Sequence, residues 1–270
     1  MAKPFIKWQG SKQRLTDQLL ARAPKTFGSY FEPFLGGGAL FFALAPERAF
    51  LSDLNQSLVT TFQTVRDDPE GLMRRLDVML SLHKEDPAGY YAKIRAWTAC
   101  QPVMTAAWFI YLNKTGFNGL YRVNRKGEFN VPIGTNGRKT DPVVYVREEL
   151  LAASKVLRSV VFDAYGYLEA CALAQPGDFV YMDPPYAPLT ATANFTGYTS
   201  QGFGPEDQVR VRDEALRLKR LGVHVLLSNS SAELIRDLYK GPDWRVEEVD
   251  VNRTNGTAKG RGFVKELIIS

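Results

Sequence analysis

Three short apolar runs, each stopping at a glycine, a proline or an acid, constrain this chain more than any other feature. Residues 29–34 run into Gly36-Gly37-Gly38, residues 49–53 finish on Asp53, and Phe179-Val180-Tyr181-Met182 closes into Asp183-Pro184-Pro185-Tyr186. Runs of this length bounded by turn residues read as buried strands. Residues 39–44 open a helix between the first two, which makes a βαβ unit. The alternation resumes later: helix 147–157, strand 160–162, helix 168–173, strand 179–182, helix 205–221, strand 223–227, helix 232–239, then strands 245–251 and 263–269. Strands alternating with helices imply an α/β fold with a mostly parallel, doubly wound sheet, and ligands of such sheets bind beyond the carboxyl ends of the strands. Gly36, Asp53 and Asp183 all fall just past expected strand ends.

The stretch between the two α/β segments has a different period. From 55 to 113 the pattern is helical, with Leu72, Leu76 and Leu80 at i, i+4 spacing and Trp108, Ile110, Tyr111 and Leu112 in a denser run. Residues 114–138 are rich in turn signals, Asn118-Gly119 and Arg125-Lys126-Gly127-Glu128, the second flanked by 120–123 and 129–131 as the arms of a β-hairpin. The expected division is a core of 1–56 and 146–270, interrupted by a helical insertion at 57–145. Residues 252–262, rich in Gly, Asn and Thr, read as a loop.

A chain of 270 residues, 45% of them hydrophobic, can bury a full core. The net charge of +5 permits a polyanionic partner without requiring one. Cys100, Cys171, His83 and His224 are too few for a disulfide framework or a Cys/His metal cluster, so reduced thiols and no metal are expected. No leader-like apolar region or membrane-length window occurs, which gives the expectation of a cytoplasmic protein with no membrane partner.

The tip Asp183-Pro184-Pro185-Tyr186 accepts hydrogen bonds and offers almost none. Neither proline has an N–H, and each biases the residue before it away from helix, leaving the carbonyls of Asp183 and Pro184 outside any helical ladder. An exocyclic amine with two donors is the complement of such a tip, and Tyr186 can lie flat against the ring that carries it. Pro-Pro after a strand is also an ordinary way to end one. The glycine turn permits close backbone approach to a ligand, and Asp53 is placed to accept from ribose hydroxyls. Phe41 stands where the last glycine of G-x-G-x-x-G would be, so a pyrophosphate is not indicated. Trp8 and Lys12 suit a core anchor and a solvated charge. Alternatively, with a nucleoside bearing an amino-acid tail, they flank its cationic centre and pair with its carboxylate.

At this point the chain resembles the DNA adenine-N6 methyltransferases of the Dam type. The resemblance runs, in the family's order, through Lys7-Trp8-Gln9-Gly10-Ser11-Lys12, residues 32–38, Ser52-Asp53-Leu54-Asn55 and Leu112-Asn113-Lys114-Thr115-Gly116-Phe117-Asn118-Gly119-Leu120. It continues through Gly127-Glu128-Phe129-Asn130-Val131-Pro132, Asp183 to Tyr186 with Ala191-Thr192-Ala193-Asn194-Phe195, and Val264-Lys265-Glu266-Leu267. Gln9 and Ser11 replace smaller residues common in the first motif. The resemblance implies a Rossmann-like S-adenosylmethionine-dependent core, a helical target-recognition insertion, S-adenosylmethionine as cofactor with S-adenosylhomocysteine as product, and double-stranded DNA as partner; a monomer in solution is expected, with the sequence leaving the oligomeric state open. Trp8, Lys12, Phe34, Gly36, Gly38, Asp53 and Asp183 are then the cofactor residues. Asp183, Pro184, Pro185 and Tyr186 form the catalytic tip.

For DNA, the candidates are Lys7, Lys114, Phe117, Asn118, Leu120, Arg122, Asn124, Arg125 and Pro132. Phe117 is a wedge for the space an extruded base leaves, or else a hairpin anchor. Arg122 or Lys7 can read guanine, Asn118 or Asn124 a base edge, and Leu120 or Pro132 a thymine methyl. The resemblance implies the palindrome GATC. Three other readings compete: a DNA-binding regulator without chemistry, a nicotinamide oxidoreductase, and methylation of cytosine N4 on the same scaffold.

Overall fold

The computed structural model describes residues 2–98, 101–124, 126–188, 203–253 and 262–270. In chain order its main elements are α1 (Thr16–Leu20), β1 (Tyr30–Glu32), α2 (Ala39–Leu44), β2 (Ala49–Ser52), α3 (Gln56–Asp67), α4 (Pro69–Glu85), α5 (Pro87–Arg95) and α6 (Pro102–Thr115). They continue with α7 (Arg147–Leu157), β3 (Val160–Asp163), α8 (Tyr167–Cys171), β4 (Phe179–Met182), α9 (Pro205–Arg220), β5 (His224–Ser230), α10 (Glu233–Leu238), β6 (Val246–Arg253) and β7 (Gly262–Ile269). Two compact units result. One comprises Met1–Ser11, Gly36–Ala45 and Asn55–Ala164, the other Lys12–Leu35, Pro46–Leu54 and Tyr165–Ser270.

The second unit holds six strands in the order β2-β1-β4-β5-β7-β6. β1 is parallel to β2 and β4, β4 is parallel to β5, and β7 is antiparallel to both its neighbours. Strand order reverses between β1 and β4, which is where a doubly wound sheet opens a crevice at its carboxyl edge. All four β4 residues are buried, as a central parallel strand requires. Phe31, Val180, Met182, Leu227 and Leu267 share a core with Val211, Ala215 and Leu218, the apolar stripe of α9. β5 extends past the expected 227 to Ser230, because Ser228, Asn229 and Ser230 are polar yet buried. The expected loop 252–262 is strand at both ends: Arg253 of β6 pairs with Gly262 of β7, and 254–261 lie outside the described residues.

The first unit is mainly helical. Asn55 caps α3 by accepting from the Leu58 N–H at 3.1 Å, while Asp68 and Asp86 cap α4 and α5 through Gly71 and Gly89, each at 2.9 Å. A proline stands in the first turn of α4, α5 and α6, where its missing N–H costs nothing. α6 is buried on nearly every side. His83 is fully buried and satisfied at both nitrogens, by the Tyr111 hydroxyl at 2.6 Å and the Lys139 carbonyl at 2.8 Å. The expected hairpin is reduced to a bridge between Val123 and Phe129, with the Asn130 N–H donating to the Arg122 carbonyl at 3.0 Å. This unit also holds α7 and β3. Among the described residues no helix is long and apolar enough to cross a membrane.

Candidate active site

In the second unit, β4 ends at Met182 and delivers Asp183 beyond the carboxyl edge of the sheet. Its carboxylate accepts from the Lys12 ammonium through Oδ2 at 2.8 Å and from the Ser228 hydroxyl through Oδ1 at 2.9 Å. Ser228 in turn shares a 2.7 Å hydrogen bond with the Tyr181 hydroxyl. Lys12 is only 6% exposed, so it is an internal charge rather than a solvated one. Burial pushes the Asp183 carboxyl above its ordinary range, and the neighbouring Lys12 and then Ser228 pull it back. Two oxygens with about four lone-pair positions retain room for a further donor.

The elbow that follows is held from both sides. Gln208 donates to the Pro185 carbonyl at 2.7 Å and is itself held by the Asn229 amide at 2.9 Å, while the Ser230 hydroxyl donates to the Ala187 carbonyl at 2.7 Å. No donor among the described residues is bonded to the carbonyl of Pro184. The Tyr186 hydroxyl donates to Glu266 at 2.7 Å, and the Lys12 ammonium sits 4.5 Å from the centre of its ring. Burial, with Asp183 and Glu266 adding, drives the Tyr186 phenol far above its usual range, so it stays a donor. Phe34, two residues past β1, stacks on Tyr167 at 5.2 Å. Asp53 follows β2 directly and is half-buried.

In the first unit, Gly36 and Gly38 have φ of +48° and +66°, which a glycine adopts without strain. A Cβ on Gly36 would lie 2.6 Å from the Trp8 indole. Trp8 also stacks with Phe109 at 6.3 Å and Tyr121 at 6.0 Å, so it is a packing anchor as well as a candidate ligand contact. Asn113 fastens the first motif to the 117–119 turn. It accepts from the Lys7 N–H at 2.8 Å and donates to the Lys7 carbonyl at 2.7 Å and the Gly119 carbonyl at 3.1 Å. That turn presents Phe117, half exposed at 48%, and Asn118, whose φ of +54° is uncommon outside glycine.

The remaining DNA candidates divide. Arg122 is exposed and rests on the Asn130 side chain at 2.7 Å, and Pro132 is exposed. Leu120 is half-buried. Asn124 is occupied by its own turn, accepting from the N–H groups of Lys126 and Glu128 and donating to the Glu128 carboxylate at 2.8 Å. Burial, aided by nearby Lys7, lowers the Lys114 ammonium to about 8. Arg125 and 191–195 lie outside the described residues. Ser228, Gln208, Asn229 and the role of Glu266 escaped sequence reasoning. The only signal was a polar Ser-Asn-Ser ending an apolar run.

Residues 8–255 match the family model of the D12 class N6 adenine-specific DNA methyltransferases. The chain belongs to that class. Its relatives include the Type II methyltransferase M1.LlaDCHI of Lactococcus lactis subsp. cremoris, 39% identical over 99% of this chain and 95% of the relative. They also include the Type II methyltransferase M.MjaIII of Methanocaldococcus jannaschii, 37% identical over 99% of each chain. The DNA adenine methylase of Haemophilus influenzae is 35% identical over 98% of this chain and 92% of its own length. This D12-class protein is therefore an adenine-specific DNA methyltransferase, with DNA as substrate and S-adenosylmethionine as the implied methyl donor. Class membership sets aside the oxidoreductase and cytosine readings.

Proposed function

We propose that the protein methylates N6 of an adenine rotated out of double-stranded DNA, within GATC, by direct attack of the amine on the donor's methyl. The observation that carries this reading is the elbow itself, a paired Asp183 carboxylate beside a Pro184 carbonyl that no described residue engages. Those two acceptors suit the two amino hydrogens of adenine. By accepting both they favour a pyramidal nitrogen and stabilise the positive charge that develops on it. Orientation of this kind supplies about 7–11 kcal/mol of barrier reduction. Tyr186, fixed by its hydroxyl, stacks on the purine and recovers part of the few kcal/mol spent on extrusion.

S-adenosylmethionine, when bound, supplies a methyl already activated on a sulfonium and leaves as S-adenosylhomocysteine. The residues present fit it. In the second unit Asp53 offers a carboxylate for ribose hydroxyls, with Lys12, Phe34 and Asp183 as further contacts, and in the first unit Gly36 and Gly38, with no side chains of their own, make a tight turn beside Trp8. Residues 57–145 serve as the target-recognition segment. Lys7 and Arg122 read guanine, Asn118 a base edge, and Leu120 and Pro132 a thymine methyl. Phe117 fills the vacated stack, while Lys114 and Arg125 contact phosphates. Asn124 contributes by holding the N–H groups of Lys126 and Glu128.

Incubation of duplexes carrying GATC or single-base substitutions with tritiated S-adenosylmethionine tests the reading. The expected result is adenine-N6 methylation confined to GATC and abolished in a folded Asp183→Ala variant. Near-normal turnover of that variant contradicts the mechanism. Equal labelling of substituted sites contradicts the sequence assignment alone.

A further inference from the structure

We infer that Glu266, on the last strand, is a positioning residue for methyl transfer, fixing the position of the Tyr186 ring through the hydroxyl. This rests on the reading that Tyr186 stacks on the target base. The motif around Glu266 carries no role in that reading, yet the geometry gives it one. β7 lies between β5 and β6, with Glu266 opposite Ser230 on one side and Val249 on the other. Its side chain is 5% exposed and its neighbours Leu267, Ile268 and Ile269 are buried hydrophobics. A carboxylate is costly to bury without strong donors, and the Tyr186 hydroxyl, donating at 2.7 Å, is one.

The consequence reaches the reacting centre through two further contacts. The Ser230 hydroxyl, from the strand paired with β7, holds the Ala187 carbonyl at 2.7 Å, so the residue after Tyr186 is fixed as well. At the ring itself stands Lys12, 4.5 Å from its centre and 2.8 Å from the Asp183 carboxylate. An aromatic ring tethered only by its backbone and Cβ can rotate about two side-chain bonds. A hydrogen bond at the far end pins the hydroxyl, which fixes the first of those rotations and holds the ring axis in place relative to the carboxylate that orients the amine. In this arrangement Glu266 accepts from the Tyr186 hydroxyl. It acts through Tyr186.

The test is a kinetic cycle on the full-length enzyme with GATC duplex and S-adenosylmethionine. Glu266→Leu removes the acceptor and is expected to lower kcat by roughly 10- to 100-fold with the donor KM within about twofold of the parent. Glu266→Gln restores most of the rate, since its amide oxygen still accepts from the phenol. In a Tyr186→Phe background, which lacks the hydroxyl, Glu266→Leu brings no further loss. A kcat within about twofold of the parent for Glu266→Leu, or an undiminished loss in the Tyr186→Phe background, overturns the inference. Should Glu266→Leu fail to fold, Tyr186→Phe breaks the same hydrogen bond from the other side, and parental turnover there overturns the inference equally. Tyr186→Ala separates the two levels: parental activity in that variant sinks the stacking reading, whereas an inactive Tyr186→Ala beside a fully active Glu266→Leu sinks only the role of Glu266.

Discussion

Removing the Lys12 ammonium should move the acid limb of methyl transfer to higher pH. Lys12 and Asp183 are 2.8 Å apart, and the Asp183 side chain retains 20% exposure against 6% for Lys12. At that separation the gross attraction is about 6 kcal/mol for an effective dielectric of about 20. Desolvation of both groups and the partial exposure of Asp183 reduce the net effect, and an adjacent cation typically lowers a carboxyl by roughly 1–3 pKa units. Burial already raises Asp183, so loss of the opposing charge raises it further. The elbow needs an ionised carboxylate to accept an amino hydrogen. The rate is therefore full above the Asp183 pKa and falls as pH drops through it. Lys12→Met should displace that fall upward by roughly 1–3 pH units. Single-turnover rates from pH 5 to 9 at saturating donor separate this from any weakening of donor binding. An acid limb in the same place in both proteins refutes the coupling.

Arg122 is exposed, so Arg122→Ala should fold normally and relax discrimination between GATC and substituted duplexes by roughly 1–3 kcal/mol, leaving donor KM unchanged; undiminished discrimination contradicts its role. Lys114 sits at about 8 against an ordinary 10.5, so between those values the unfolded chain binds more protons and stability rises with pH. Lys114→Met should accordingly raise the unfolding temperature at pH 7 and flatten the pH dependence of DNA affinity between 7 and 9, because a phosphate restores the ammonium; an unchanged affinity profile argues against the contact. Gly36→Ala, with φ of +48° and its new methyl 2.6 Å from Trp8, should lose about 1–3 kcal/mol of stability by denaturant titration, and a midpoint equal to the parent contradicts the close packing.

Much of the second unit was legible because its strands are short apolar runs with turn chemistry at their ends. There the strand at 179–182 is bounded as the pattern indicates, and in the first unit so are the helices at 39–44 and 147–157. The reading failed where polar residues are buried for a tertiary reason. Ser228, Asn229 and Ser230 look like the start of a loop, yet they extend β5 because each has a partner: Asp183, Gln208 and the Ala187 carbonyl. At 120–131 the turn residues are right and the arms meet, with Val123 bridged to Phe129, though the pairing is short.

Local pattern was enough to say that Gly36, Asp53 and Asp183 follow strands, and that a proline-locked tip accepts rather than donates. Those properties belong to a residue and its immediate neighbours. Which charges face one another does not. Lys12 and Asp183 are 171 positions apart, and Tyr186 and Glu266 are 80 apart. Their meeting depends on strand order: β4 and β5 run parallel side by side and β7 returns antiparallel against β5, which brings Ser228 to Asp183 and Glu266 to Tyr186. No period or motif encodes that adjacency, because it arises from how the sheet closes its buried apolar surface over the whole chain.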